Sequence, residues 1–153
     1  MRRIVRTLPA LAVITFAGTS HLYAQSDEER AVIVAAQRVF DAMEALDAEA
    51  LRNSMVPEGF LLSVSSGATR RTTRDQFAER IASRTTPIIE RMWDPEVRID
   101  GPVATLWAAY DLYNGDEFSH CGTDAFQLVE TVDGWQVVVL SFTSHAPPTC
   151  SRH

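Results

Sequence analysis

Asp133-Gly134 lies between two strand-like runs, Phe118–Thr131 and Trp135–Ser144, and no other pair of residues restricts the fold of this chain as much. An Asp-Gly pair favours a two-residue hairpin turn, whose backbone enters the left-handed region that glycine occupies without steric cost. Side chains alternate across a strand, so a fixed turn also fixes which residues share a face. On this reading Val132 opposes Trp135, Leu128 meets Val139 and Phe126 meets Ser141. A further strand, Val103–Tyr113, joins the hairpin through the bend before Phe118. With Gly115-Asp116 as its turn, Asp111 faces His120 and Trp107 faces Asp124. With Asn114-Gly115, Asp111 faces Phe118. Both preserve parity, whereas an odd loop flips it.

On that parity one face carries Trp107, Asp111, His120, Asp124, Phe126 and Leu128, continued by Trp135, Val137 and Val139. Its large apolar groups assign it to the helix-covered side. The opposite face carries Tyr110, Leu112, Cys121 and Gln127, and Val138, Leu140 and Phe142 on it suit a dimer surface. Four residues of strand span about 13 Å, so His120 and Asp124 do not touch along their own strand. Each needs a partner from a neighbour, and Asp111 is the natural one for His120. An Asp–His pair in a partly apolar cavity holds one imidazole tautomer and raises its pKa, as acid–base work requires. The candidate catalytic residues are therefore His120, Asp111 and Asp124. Trp93, Trp107 and Phe126 are candidate ligand contacts, Trp93 at the mouth beside Asp94-Pro95. Structural roles compete at every position: a strand His or Asp also serves as a solvated or hydrogen-bonded group, and the aromatic residues also serve as core.

The segments before the strands read as helices. Ser26-Asp27-Glu28-Glu29 has the spacing of a capping box, and Val32, Ala36, Val39, Phe40, Met43 and Leu46 recur on one helical stripe. Asp47 caps a short second helix that Pro57 stops, and Thr73 caps a third through Ser83. Phe60–Val64 reads as a strand with a short return, and Ile88 to Ile99 as a long strand bent at Asp94-Pro95. Helices first, then a hairpin, a helix and four antiparallel strands, predict an α+β fold, with N-terminal helices packed on a strongly curved antiparallel sheet.

At 153 residues the chain holds one domain. Residues 1–24 read as an export leader: a basic start, an apolar stretch from Leu8 to Gly18 that is short for a membrane span, and Ala24 before the cut. The domain then covers 25–146 and a tail 147–153, in a periplasmic or secreted protein with no stable membrane insertion once the leader is removed. Loss of Arg2, Arg3 and Arg6 moves the formal charge from −6 to −9, which excludes an electrostatic footprint for nucleic acid. An oxidising compartment favours a disulfide between the two cysteines, Cys121 and Cys150. Its loop of about 30 residues would contribute roughly 3–4 kcal/mol. The Cys150 to His153 spacing is too isolated for a metal site, and no cofactor motif is present.

The strands Val103–Tyr113 and Phe118–Leu128, with Asp133-Gly134-Trp135, resemble the exported bacterial branch labelled lumazine-binding. That branch belongs to the nuclear transport factor 2-like superfamily, with its cone-shaped fold, which also includes ketosteroid isomerase, scytalone dehydratase and SnoaL-like cyclases. The resemblance covers Ser26 to Phe142. It implies a pocket between helices and concave sheet, a small apolar or aromatic ligand, and a homodimer through the sheet. Members range from isomerases and dehydratases to non-catalytic binders, so the fold leaves the reaction open. The ketosteroid isomerase pattern has no match here, and scytalone dehydratase-like chemistry would need a second cavity histidine, for which His145 is the candidate. Three readings follow: a small-molecule binder, an isomerase, dehydratase or cyclase using His120, Asp111 and Asp124, and a structural dimer module with a filled cavity.

Overall fold

The computed structural model describes residues 26–65, 67–147 and 149–150. The expected leader and its cleavage point lie outside the described residues. Helix α1 (Asp27–Ala45) begins at the expected capping box: the Glu29 amide donates to Ser26 Oγ at 3.1 Å and the Ser26 amide to Glu29 Oε2 at 2.8 Å. Its apolar stripe is buried, and the helix ends at Leu46 in the left-handed conformation. Asp47 caps α2 (Ala48–Asn53) by accepting from the Glu49 and Ala50 amides. Thr73 and Gln76 form a second capping box at α3 (Arg74–Ala82), which buries Phe77, Ala78 and Ile81. Among the described residues no helix is long and apolar enough to cross a membrane.

Six strands follow the helices or separate them: β1 (Met55–Ser65), β2 (Ala68–Thr73), β3 (Ile88–Asp100), β4 (Val103–Asn114), β5 (Glu117–Thr131) and β6 (Gly134–Thr143). They form one sheet in the order β2-β1-β6-β5-β4-β3. The fold is α+β, as expected, but the sheet is mixed rather than wholly antiparallel, because β1 runs parallel to β6. Pro57 lies inside β1, where the pairing with β6 is irregular between Met55 and Phe60, a position at which the missing N–H costs no ladder bond. Helix α1 crosses the inner face over β3, β6 and β4, and α3 packs on β1. Phe40 of α1 meets Phe126 of β5 edge to face, with ring centroids 5.8 Å apart. Burying such a side chain contributes about 1.5–3 kcal/mol.

Register departs from expectation at two places. The β5–β6 turn is Val132-Asp133, one residue early, with Thr131 opposite Gly134. Gly134 takes φ 94°, and Thr131 Oγ1 stitches the turn by accepting from the Asp133 amide and donating to Gly134 O. A bulge past Leu128 then moves Phe126 opposite Leu140. The β4–β5 turn is Gly115-Asp116, the preferred choice, with Asn114 opposite Glu117 and Tyr113 opposite Phe118. One residue later Leu112 pairs with His120, so Ser119 is the extra residue of a bulge. An odd insertion reverses the parity of everything beyond it.

Candidate functional site

That bulge decides which side chains meet under the helices. Past Ser119, His120, Gly122, Asp124, Phe126 and Leu128 of β5 share the inner face with Ala104, Leu106, Ala108, Tyr110 and Leu112 of β4. Trp107 and Asp111, expected inside, lie on the outer face. Trp107 is 59% exposed, and Asp111, although fully buried, pairs with Cys121 rather than His120. Asp111 is therefore not the orienter of His120. Trp93 pairs with Ala109 and belongs to the outer face as well. Phe126 is inside, packed in the core against Phe40. On β6, Trp135 and Val137 are buried as expected, while the bulge exchanges Val139 for Leu140 and Phe142.

A cavity of about 260 Å³ lies between α1, α3 and the inner face. Met43, Leu61, Phe77, Ile81, Leu140 and Phe142 supply most of its apolar wall. Into it project His120 and Asp124, both expected, and Glu90 and Tyr110, which were not. Asp124 is 1% exposed, and its Oδ2 atom is buried without a hydrogen-bond donor. Its neighbour is a second carboxyl: Glu90, partly buried as a residue, reaches across from β3 so that the two groups interact directly. Burial is the main cause that raises both. Asp124 is pushed up to about 7, and Glu90 goes well above the usual carboxylate range, with the Asp124 charge adding to its burial. Near neutral pH the pair thus retains a proton that one carboxyl donates to the other.

Tyr110 is anchored beside this pair. Its hydroxyl donates to Thr143 O at 2.7 Å, and its ring passes over Gly122, where an added Cβ would lie 2.8 Å from the ring and 2.1 Å from Thr143 O. Gly122 is thus a close-approach position. Burial, together with the neighbouring Glu90 and Asp124, holds the phenol well above its ordinary pKa. His120 sits edge-on to Tyr110 at 5.8 Å, and its Nδ1 is 3.0 Å from Ser119 Oγ. Burial lowers its pKa, the reverse of the rise expected from an Asp111 partner, so the imidazole is neutral at pH 7. Arg80 of α3 and Asn114 stand at the cavity's rim, both exposed.

A larger depression of about 640 Å³ opens between the end of α1, α2 and the β5–β6 turn. Two of its carboxylates are already engaged, Asp47 in capping α2 and Asp41 in accepting from Gln37, Asp133 stands on the exposed turn, and the smaller, more enclosed cavity with its buried carboxyl pair is the stronger candidate. Among the described residues no group of three or more His, Cys, Asp or Glu side chains could hold a metal ion.

The expected disulfide is absent: Cys121 and Cys150 are free thiols. The tail does reach Cys121, through a backbone bridge between Cys121 and His145. Cys150 Sγ is directed to His145 O at 2.8 Å, so the two sulfurs interact without bonding. His145 is accordingly on the outer side with Cys121 and is not a second cavity histidine.

Tyr110 was expected on the opposite face, and Glu90 was not among the sequence candidates. Its signal was present: Ile88, Glu90 and Met92 alternate along β3, placing a carboxyl in an otherwise apolar series.

Residues 27–143 match the model of the family described as "Putative lumazine-binding". No curated protein matches the sequence. Solved structures share the fold at low identity. A nuclear transport factor 2-like protein with a cystatin-like fold from Novosphingobium aromaticivorans is 17% identical, with a TM-score of 0.66 over 81% of this chain and 84% of its own. One from Cytophaga hutchinsonii is 14% identical, with a TM-score of 0.66 over 78% of this chain and 100% of its own. A protein from Streptomyces avermitilis described as a putative dehydratase of this family is 19% identical, with a TM-score of 0.62 over 77% and 96%. With its helices over a bulged six-stranded sheet and its sequence matched from the first helix to the last strand, this chain belongs to the family described as "Putative lumazine-binding" and shares the fold of nuclear transport factor 2-like proteins.

Proposed function

We propose that this protein binds a small molecule in the 260 Å³ cavity under α1 and α3, with the Glu90–Asp124 pair as its polar anchor. The carrying observation is Asp124 Oδ2, buried on the wall of an apolar cavity with no amide, hydroxyl or cationic donor on it and only a second carboxyl, Glu90, beside the group. Buried acceptors are almost always satisfied, and one left open at a cavity wall suits a ligand's donor. The family's description, which names a small-molecule ligand, supports the same reading. We further propose an exported protein that dimerises through the outer face of the sheet, where Trp107 is exposed. Native mass spectrometry of protein purified from its own cells tests the binding role. A co-purifying small molecule that is absent from a Leu112→Trp variant, in which the cavity is filled, is the expected result. If wild type carries no such species, and a ligand screen by thermal shift finds none sensitive to Leu112→Trp, the proposal fails.

One observation favours an enzyme as a second reading. Asp124, with a pKa of about 7, is placed to take or return a proton at neutral pH, beside a neutral His120. The Streptomyces avermitilis structure described as a dehydratase is consistent with this chemistry. Asp124 would be the acid–base group, with His120 hydrogen-bonding to the substrate. Conversion of the co-purified molecule by wild type but not by Asp124→Asn distinguishes an enzyme from a binder.

A further inference from the structure

The cavity's polar groups are unbalanced in charge. Two carboxyl groups, Glu90 from β3 and Asp124 from β5, meet at its wall. Facing them, β4 contributes the Tyr110 phenol, already donating to Thr143 O, and β5 the neutral His120. From α1 comes Met43, from β1 Leu61, and from β6 Leu140 and Phe142, all uncharged. Among the described residues the cations near the cavity stand at its rim, exposed Arg80 of α3 and half-buried Arg84, which donates to Asn114 Oδ1 at 2.9 Å, and neither forms an ion pair with Glu90 or Asp124. A buried anion with no buried counter-charge holds a proton in the empty protein, or a cation in the filled one.

Resting on the small-molecule reading above, we infer that the ligand class is a hydrophobic amine, whose ammonium group sits on the Glu90–Asp124 pair and whose single ring occupies the apolar part of the cavity. An ammonium group has three donors and no acceptor. It can therefore meet Asp124 Oδ2 and a Glu90 oxygen at once, where a hydroxyl has one proton to give. The volume fits a one-ring molecule, since 260 Å³ falls just below the roughly 300 Å³ at which sites for drug-sized ligands begin. Below about pH 7 binding exchanges one positive charge for another: the ammonium enters as Asp124 gives its proton to buffer, Glu90 keeps its own, and the cavity's net charge is unchanged.

Titration calorimetry with three probes of one shape tests this: 2-phenylethylamine, 2-phenylethanol and phenylacetate, each at about pH 5.5 and about pH 8, which bracket the Asp124 value of about 7. At the higher pH the amine should bind at least about tenfold more tightly than the alcohol, and phenylacetate should not bind. Amine affinity should rise with pH, by up to about tenfold per unit while the pair still holds its proton, and buffers of different ionisation enthalpy should report proton release. Asp124→Asn should retain the alcohol and lose both the preference for the amine and its pH dependence. Equal affinities for amine and alcohol, or an amine affinity flat in pH, would overturn the inference while leaving a neutral-ligand pocket. Binding of none of the three would remove the one-ring pocket itself, and the inference with it.

Discussion

Asp124 and Asp111 are both buried aspartates on neighbouring strands, yet they stand on opposite sides of one sheet. Asp111, on the outer side, has Arg91 as its register partner on β3 and Cys121 on β5. Asp124, on the inner side, has another carboxyl, a phenol held neutral and apolar walls. Residue type and burial are alike; what differs is the company. A buried carboxyl confined with a second carboxyl must keep a proton or acquire a cation from outside. The two faces of the sheet differ in the same sense, the inner being dry and chemically strained, the outer partly open around Trp107.

The largest expected effect comes from removing the inner charge. Asp124 has a folded-state pKa of about 7 against an ordinary 3.8, so between those values the native state binds more protons than the unfolded state. Stability is then greatest at low pH in this window and falls as pH rises from about 4 to about 7, by on the order of 4 kcal/mol if the whole shift is expressed. Glu90, also raised well above the usual carboxylate range, adds to the fall in the same sense. His120, whose pKa is lowered, acts oppositely, costing stability as pH drops below about 6.5. Urea unfolding across this range should show Asp124→Asn with a much flatter decline than wild type. An unchanged slope would mean that Asp124 is solvated and that the contrast with Asp111 is false.

Next in size is the backbone that lets Tyr110 reach Thr143. In Gly122→Ala the new methyl would lie 2.1 Å from a carbonyl oxygen and 2.8 Å from the ring, and a carbonyl in a strand cannot swing aside. A loss of about 3 kcal/mol is expected, with the Tyr110 contact broken. A near-neutral variant would show that the inner face is looser than described.

Much of this architecture is legible in the residues themselves. Both capping boxes, the apolar stripe of α1 and the strand runs follow from local chemistry, because caps and periodicity act over a few residues. The site is half legible. His120 and Asp124 were placed inside correctly, but Asp111 and Trp107 were assigned there by carrying parity through a turn that is followed by the Ser119 bulge. A bulge is one residue of backbone and leaves no period of its own. The better guide was the alternation in β4, where Ala104, Leu106, Ala108, Tyr110 and Leu112 form an apolar series against Val103, Thr105, Trp107, Ala109 and Asp111. The large apolar groups near the hairpin end, Phe126, Leu128 and Trp135, set the helix-covered side instead, and parity carried Trp107 and Asp111 with them. The parallel pairing of β1 with β6 joins segments far apart in sequence, and no local pattern encodes it.

The thiols extend the comparison to the outer face. Burial, with Cys150 and Asp111 adding to it, pushes Cys121 up to about 11. The thiolate is the reactive form, so alkylation of native protein at pH 8 should be at least about tenfold slower at Cys121 than at an unperturbed thiol, even after allowing for solvent screening. Both cysteines should alkylate after unfolding without reductant. A mass two hydrogens short, with neither labelled, would show that the tail closes a disulfide in the oxidised protein.

The smallest effect on stability is expected at the most exposed large side chain. Trp107 leaves 59% of its surface in water, so its removal takes little from the core, and Trp107→Arg should cost the monomer no more than about 0.5 kcal/mol. Its effect on assembly should be larger than that on folding. An exposed indole on the outer sheet face is the kind of group that anchors an interface, and a charge there must be desolvated or kept out. Sedimentation of wild type should therefore show a dimer that the variant loses, with the unfolding curves nearly superimposed. If instead the variant unfolds far more easily at unchanged oligomeric state, Trp107 belongs to the fold of the single chain, and the outer face carries structure rather than association.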